Sequence, residues 1–175
     1  MNFVCGTCGK KHRGLPFVIG FEKPGAYFSI PTRQLGSRCG LSTDTCVIDM
    51  NRFFIRGCLY VPVRGTRRRF GWGFWAEVSC RTFSQYLELY EQDGCAERPY
   101  PGRLSVEDGA HEGYTALDGL RVRIQFGTAD KRPTFTLRPC RHLLYREQRD
   151  GITLERHHEI LEPVLRDEPE DEREA

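Results

Sequence analysis

Hydrophobic positions alternate most regularly between Arg52 and Val63. Phe53, Ile55, Leu59 and Val61 fall on one face, with Gly57 among them, and Phe54, Arg56, Cys58 and Tyr60 on the other. A period of two predicts a strand. After a basic loop, Arg64-Gly-Thr-Arg-Arg-Arg69, the period returns in Phe70, Trp72, Phe74, Ala76 and Val78. The two runs predict an antiparallel hairpin, with Trp72, Phe74 and Trp75 more readily core than a stacking platform. Gly71 and Gly73 mark a bulge or a close backbone approach. Phe17 to Phe21 predicts a short strand, Pro31 to about Arg38 a short helix, and Cys46 to Asp49 a strand start. Leu120, Val122, Ile124 and Phe126 alternate again, and Pro133 to Leu137 predicts a short edge strand.

Helical spacing appears in three places. Phe83, Tyr86, Leu87 and Tyr90 fit i, i+3, i+4, i+7 within Thr82 to Glu91, with Ser79 or Thr82 as N-cap. His142 to about Arg149 predicts a second helix, broken by Gly151. Thr153 caps a third, Leu154 to Leu165, which Pro163 kinks or ends. In that helix Leu154, His157 or His158, Leu161 and Leu165 share a side, and lone helical histidines are expected at surfaces or caps. Residues 93–118, rich in Gly, Pro and charge, read as one long irregular segment. The expected class is α+β: an antiparallel sheet, a few packed helices and an N-terminal knuckle.

Eleven Phe, seven Tyr and two Trp among 175 residues are enough for one real core, so residues 1–165 are expected to form a single domain. No stretch nears the roughly 20 apolar residues of a membrane span. Residues 1–20 lack an apolar run behind a basic start. The expectation is a cytosolic, reducing compartment, with Cys58, Cys80, Cys95 and Cys140 as free thiols, mostly in the core. The net charge of +2 hides an asymmetry: residues 166–175 carry six acids and two arginines, net −4, leaving +6 on 1–165. That tail has no apolar face and is expected to be disordered.

Cys5-Gly-Thr-Cys8-Gly9-Lys-Lys-His12 carries the sharpest chemistry. Two thiolates and an imidazole at this spacing suit tetrahedral zinc. Lys10, Lys11 and Arg13 favour deprotonated sulfur. A redox Cys-x-x-Cys pair belongs between a strand and a helix, and here Gly14 and Pro16 follow instead. Cys5, Cys8 and His12 make three ligands. Cys46, Cys39 or water completes the set. A closed, structural Zn2+ is the expected outcome for so cysteine-rich a set. Asp44, Asp49 and Glu77 are candidates for acid/base or ligand-orienting work. No phosphate loop, His-Glu-x-x-His, Gly-x-Ser-x-Gly or Cys/His catalytic signature is present, so the catalytic residues are unknown.

The ordered set Cys5-x-x-Cys8-Gly9-x-x-His12-x-Gly14-Leu15-Pro16, Asp44-x-Cys46-x-Ile48-Asp49, Phe53-Phe54-Ile55-Arg56-Gly57, Phe70-x-Trp72-Gly73-x-Trp75 and Gln148-Arg149-x-Gly151-Ile152-Thr153 resembles a bacterial family of unknown function, family 2199. The resemblance runs from about Phe3 to about Leu165. It implies no activity. It does imply Cys46 as the fourth ligand, because the Asp-x-Cys position belongs to the pattern and Cys39 does not. The functional expectation is a zinc-stabilised factor, of accessory or immunity type, that binds another protein. The alternatives are a zinc-dependent hydrolase with an open metal position and a nucleic-acid-binding protein. Arg64 and Arg67 to Arg69 are read as a solvated hairpin tip.

Overall fold

The structure is a computed structural model and describes residues 2–4, 11–13, 17–109, 113–129 and 131–167. Near the N-terminus β1 (Asn2–Val4) pairs antiparallel with β2 (Lys11–Arg13), Val4 opposite Lys11. β3 (Val18–Gly20) follows, then two 3₁₀ turns at Gly25–Ser29 and Thr32–Gln34 and a single turn, α1 (Leu35–Arg38). A hairpin of β4 (Cys39–Leu41) and β5 (Thr45–Ile48) leads into the long pair β6 (Arg52–Pro62) and β7 (Arg69–Val78). This pair forms the predicted hairpin, in register from Phe53↔Val78 to Pro62↔Arg69.

The sheet closes on itself. β7 pairs with β8 (Tyr100–Leu104), β8 with β9 (Arg121–Gln125), β9 with β10 (Thr134–Leu137), and β10 returns to β6. The result is a five-stranded barrel. Its closing pair, β10 with β6, is parallel, and so is β3 with β7. The expected antiparallel sheet is therefore only partly right. A meander of five strands returns to its start with the last strand running like the first, so one parallel seam is unavoidable. The 134–137 strand is not an edge, since it has neighbours on both sides. Residues 93–118 are not one irregular stretch, since β8 lies within them.

The barrel is filled from within. Ile55, Leu59, Val61, Phe70, Trp72, Phe74, Ala76, Ile124 and Phe135 are fully buried. The Phe135 ring occupies the space where any residue but glycine at 57 would place its Cβ. α2 (Cys80–Glu88) covers one end, with Phe83 against Phe53 and Tyr86 against Phe126. Ser79 caps it, accepting from the Thr82 amide at 3.1 Å. At the other end α3 (Leu143–Asp150), N-capped by His142, is followed by α4 (Leu154–Asp167). Between them Gly151 (φ 77°) turns the chain so that Ile152 bonds Pro62 and bridges Val63. Pro163 does not end α4, and the helix runs two residues into the expected tail.

Two exposure expectations are overturned. His157 and His158 are 0 % and 3 % exposed, with the His157 ring 4.9 Å from both Phe17 and Phe70, while Leu154 faces solvent. Cys80, Cys95 and Cys140 are exposed and Cys58 half-buried, so none of the four is a true core thiol. A second, smaller cluster lies outside the barrel wall. Ile30 folds over Cys46, Ile48, Phe54 and Trp75, with Phe21, Leu35 and Cys39 at its margin.

Candidate functional site

The knuckle residues Cys5 and Cys8 lie outside the described residues, and of His12 the backbone alone is described, opposite Phe3. Among the described residues no three His, Cys, Asp or Glu side chains gather as a metal cluster. Cys46 is placed. It is fully buried on β5, and its Sγ stands 3.6 Å from that of Cys39 on β4. Cys39 lies opposite Ile48 and Cys46 two residues before it, so the two thiols are diagonal neighbours on one face of the hairpin. Burial, then contact with Cys39, pushes the Cys46 thiol up to about 12.

The three acids singled out by sequence are each engaged by an arginine. Asp44 meets Arg132 at 2.6 Å and accepts from the Tyr90 hydroxyl at 3.0 Å. These residues line a hollow of about 310 Å³ that ties the β4–β5 turn to the end of α2. Asp49 is held by Arg38, whose guanidinium keeps its carboxyl below the usual range. Glu77 is held bidentately by Arg52, at 2.8 and 2.7 Å. A further network braces the helical end. Arg156 bonds Glu147 at 2.9 Å and the Gly113 carbonyl at 3.0 Å, and Tyr114 donates to Glu147. Burial, then that bond, raises the Tyr114 phenol. Every one of these acids is held by a cation of this chain, a pattern that serves bracing.

The outer face of β8–β10 is different. Its outward positions alternate with the core residues Leu104, Val122, Ile124, Phe135 and Leu137, and four of them are arginines. Arg103 stands directly opposite Arg121 in the β8–β9 ladder. Arg123 is two residues further along the same strand. Arg138 lies alongside, its amide bonded to the Arg121 carbonyl at 2.8 Å. All four are exposed and line one groove of about 910 Å³ with Glu77, Pro99 and Pro101. Arg123 and Arg138 continue into a second hollow beside Tyr145 and Arg149. Among the described residues no carboxylate pairs with any of the four, and Glu77 is already taken by Arg52. Like charges directly across a ladder destabilise a sheet.

The other basic patch evident in the sequence is Arg64 with Arg67–Arg69. There Arg68 lies over the Phe17 ring and Arg69 over Tyr60, while Arg64 bonds the Asp150 carbonyl. The groove arginines were missed because they are 35 residues apart and converge only through the ladder. Their one sequence signal is Arg121-Val-Arg123-Ile, where each outward position of an alternating strand is an arginine.

Fold and site together define a small α+β barrel protein, capped by helices at both ends and carrying a basic groove on its uncovered wall. The chain belongs to the family described as an uncharacterized protein conserved in bacteria, DUF2199, whose model matches residues 4–152. No curated protein and no solved structure matches the chain. No helix among the described residues is long and apolar enough to cross a membrane.

Proposed function

We propose that this protein acts by binding another protein, and that the β8–β10 groove takes an acidic segment of that partner. An accessory or immunity-type factor fits this role. One observation carries the reading: Arg103, Arg121, Arg123 and Arg138 converge on one groove whose one described carboxylate, Glu77, is already held by Arg52. An unneutralised cluster costs stability, and a ligand that supplies carboxylates returns it. Arginine clusters recognise acidic motifs through bidentate hydrogen bonds. Prolines and no aromatic ring line the groove, whereas proteins that hold single-stranded nucleic acid offer rings for base stacking.

The test is fluorescence anisotropy with a labelled oligoglutamate peptide and, separately, a labelled oligothymidylate. The peptide is expected to bind wild type, with an affinity that falls as salt rises. Arg121→Glu/Arg123→Glu should weaken it at least about tenfold, the loss of two charge-assisted contacts. Binding of the oligonucleotide without the peptide would overturn the assignment in favour of nucleic acid.

A further inference from the structure

The Cys39–Cys46 pair lies on the opposite side of β6 from the barrel core and plays no part in the arginine groove. Its two sulfurs stand 3.6 Å apart. Two thiolates bound to one tetrahedral zinc at about 2.3 Å each are separated by about 3.8 Å. The hairpin therefore already holds two thiols at nearly the edge length of a zinc tetrahedron. Among the described residues no other two cysteines come together.

The remaining half is in the sequence. Cys5-x-x-Cys8 brings two thiols within reach of one ion but cannot close a site alone. Cys5 follows directly on β1 and Lys11 opens β2, so the motif joins two antiparallel strands, the setting of a metal knuckle. The chain also comes back to the thiol pair soon afterwards: Phe21 packs against the cluster that contains Cys46, and its carbonyl accepts from Trp75 Nε1 at 2.9 Å.

We propose that Cys39 and Cys46 together form one edge of a four-thiolate zinc site completed by Cys5 and Cys8, with Cys39 in the place that the motif offers to His12. On binding, each of the four thiols releases its proton to solvent and Zn2+ keeps its oxidation state. The ion ties the N-terminal hairpin to the β4–β5 hairpin. Lys10, Lys11 and Arg13 around the motif would offset the double negative charge of the loaded site.

The test is elemental analysis of protein purified after growth in zinc, for wild type, Cys39→Ser, Cys46→Ser, Cys5→Ser, His12→Asn and, as control, Cys80→Ser. One zinc per chain is expected in wild type, Cys80→Ser and His12→Asn, and close to none in the other three. Because a cysteine variant can fail to fold, the wild-type protein supplies a second readout. Half-buried Cys39 should resist iodoacetamide with zinc bound and be alkylated after chelation, while exposed Cys80, Cys95 and Cys140 react in both states. Full zinc in Cys39→Ser, loss of zinc in His12→Asn, or alkylation of Cys39 in the zinc-loaded protein would each overturn the proposal. So would a metal-free protein whose mass shows Cys39 and Cys46 oxidised to a disulfide.

Discussion

Removing a groove arginine should stabilise the fold while it weakens binding of the proposed acidic ligand. In Arg121→Gln the lost charge has three like-charged neighbours: Arg103 across the ladder, Arg123 two residues along and Arg138 on the next strand. Outward-pointing guanidiniums at strand spacing stand about 7 Å apart. In water each such pair repels by about 0.6 kcal/mol before screening. With Debye lengths of 30, 8 and 3 Å, three pairs come to about 1.4 kcal/mol at 0.01 M salt, 0.7 at 0.15 M and 0.2 at 1 M. For a chain of 175 residues that is a rise in Tm of about 4 °C, 2 °C and under 1 °C respectively. The assay is a thermal melt of both proteins at the three salt concentrations, beside the peptide anisotropy. A variant that melts at or below wild type at 0.01 M salt would refute the reasoning. It would mean that the arginines are satisfied inside the chain and that the groove holds no uncompensated charge for a ligand.

Three further outcomes follow from the packing. Gly57→Ala drives a methyl group into the Phe135 ring and the Pro133 carbonyl, and should cost about 2–3 kcal/mol in urea unfolding; Phe135→Leu should recover part of it, and strict additivity of the two changes would show that the ring is not the obstacle. Arg156→Met leaves the Glu147 carboxylate, at 12 % side-chain exposure, without its cation, and should cost about 2 kcal/mol by the same measurement, where a neutral result would place the network in solvent. Burial raises the phenols of Tyr86 and Tyr114, so above about pH 10 the unfolded chain gives up these protons before the folded one and stability falls as pH rises; Tyr86→Phe should flatten that fall, and an unchanged slope would remove Tyr86 from the account.

The elements that were legible in the sequence are those whose partners are close in the chain. Alternation over 52–63 and 70–78 gave a hairpin because one short loop makes each strand the other's nearest partner along the chain, and Ser79 announced α2 by its own chemistry. β8 was hidden because Tyr100-Pro-Gly-Arg-Leu104 contains two residues that local propensity assigns to loops. Pro101 is tolerated on the outward side, and a Cβ at position 102 would stand 2.6 Å from Ile124 Cδ1. Closure by β10 was hidden for another reason: Thr134-Phe-Thr-Leu137 alternates, but alternation says which face is buried and nothing about which strand lies alongside. The same limit explains the site. Asp44, Asp49 and Glu77 stood out as acids, yet whether an acid is free depends on Arg132, Arg38 and Arg52, up to 88 residues away. Cys39 was visible as a cysteine, but its nearness to Cys46 depends on the hairpin register.

The barrel's coverings also bear on the proposed function. α2 closes one end, α3 and α4 the other, and the 21–38 segment folds over the outer side of β5–β7 at Cys46, Phe54 and Trp75. The large outward rings of β6 and β7 in this cluster, Phe54 and Trp75, are thereby fully buried. On β8–β10 the outward positions are Pro101, Arg103, Arg121, Arg123, Gln125, Thr134 and Thr136; the 95–97 segment meets Gln125, and the arginines are left to the open groove. A wall left bare by a chain that covers the others is either inert or kept open. An inert wall would mix its charges, as the rest of this surface does with Arg38–Asp49, Arg52–Glu77 and Arg149–Asp150. Four cations beside one carboxylate that Arg52 already holds are the opposite arrangement, and it carries a cost in stability that the proposed acidic ligand would offset. The thiol pair sits under the covered wall and the arginines on the bare one, so the proposed zinc would serve the scaffold and the proposed groove would serve the partner.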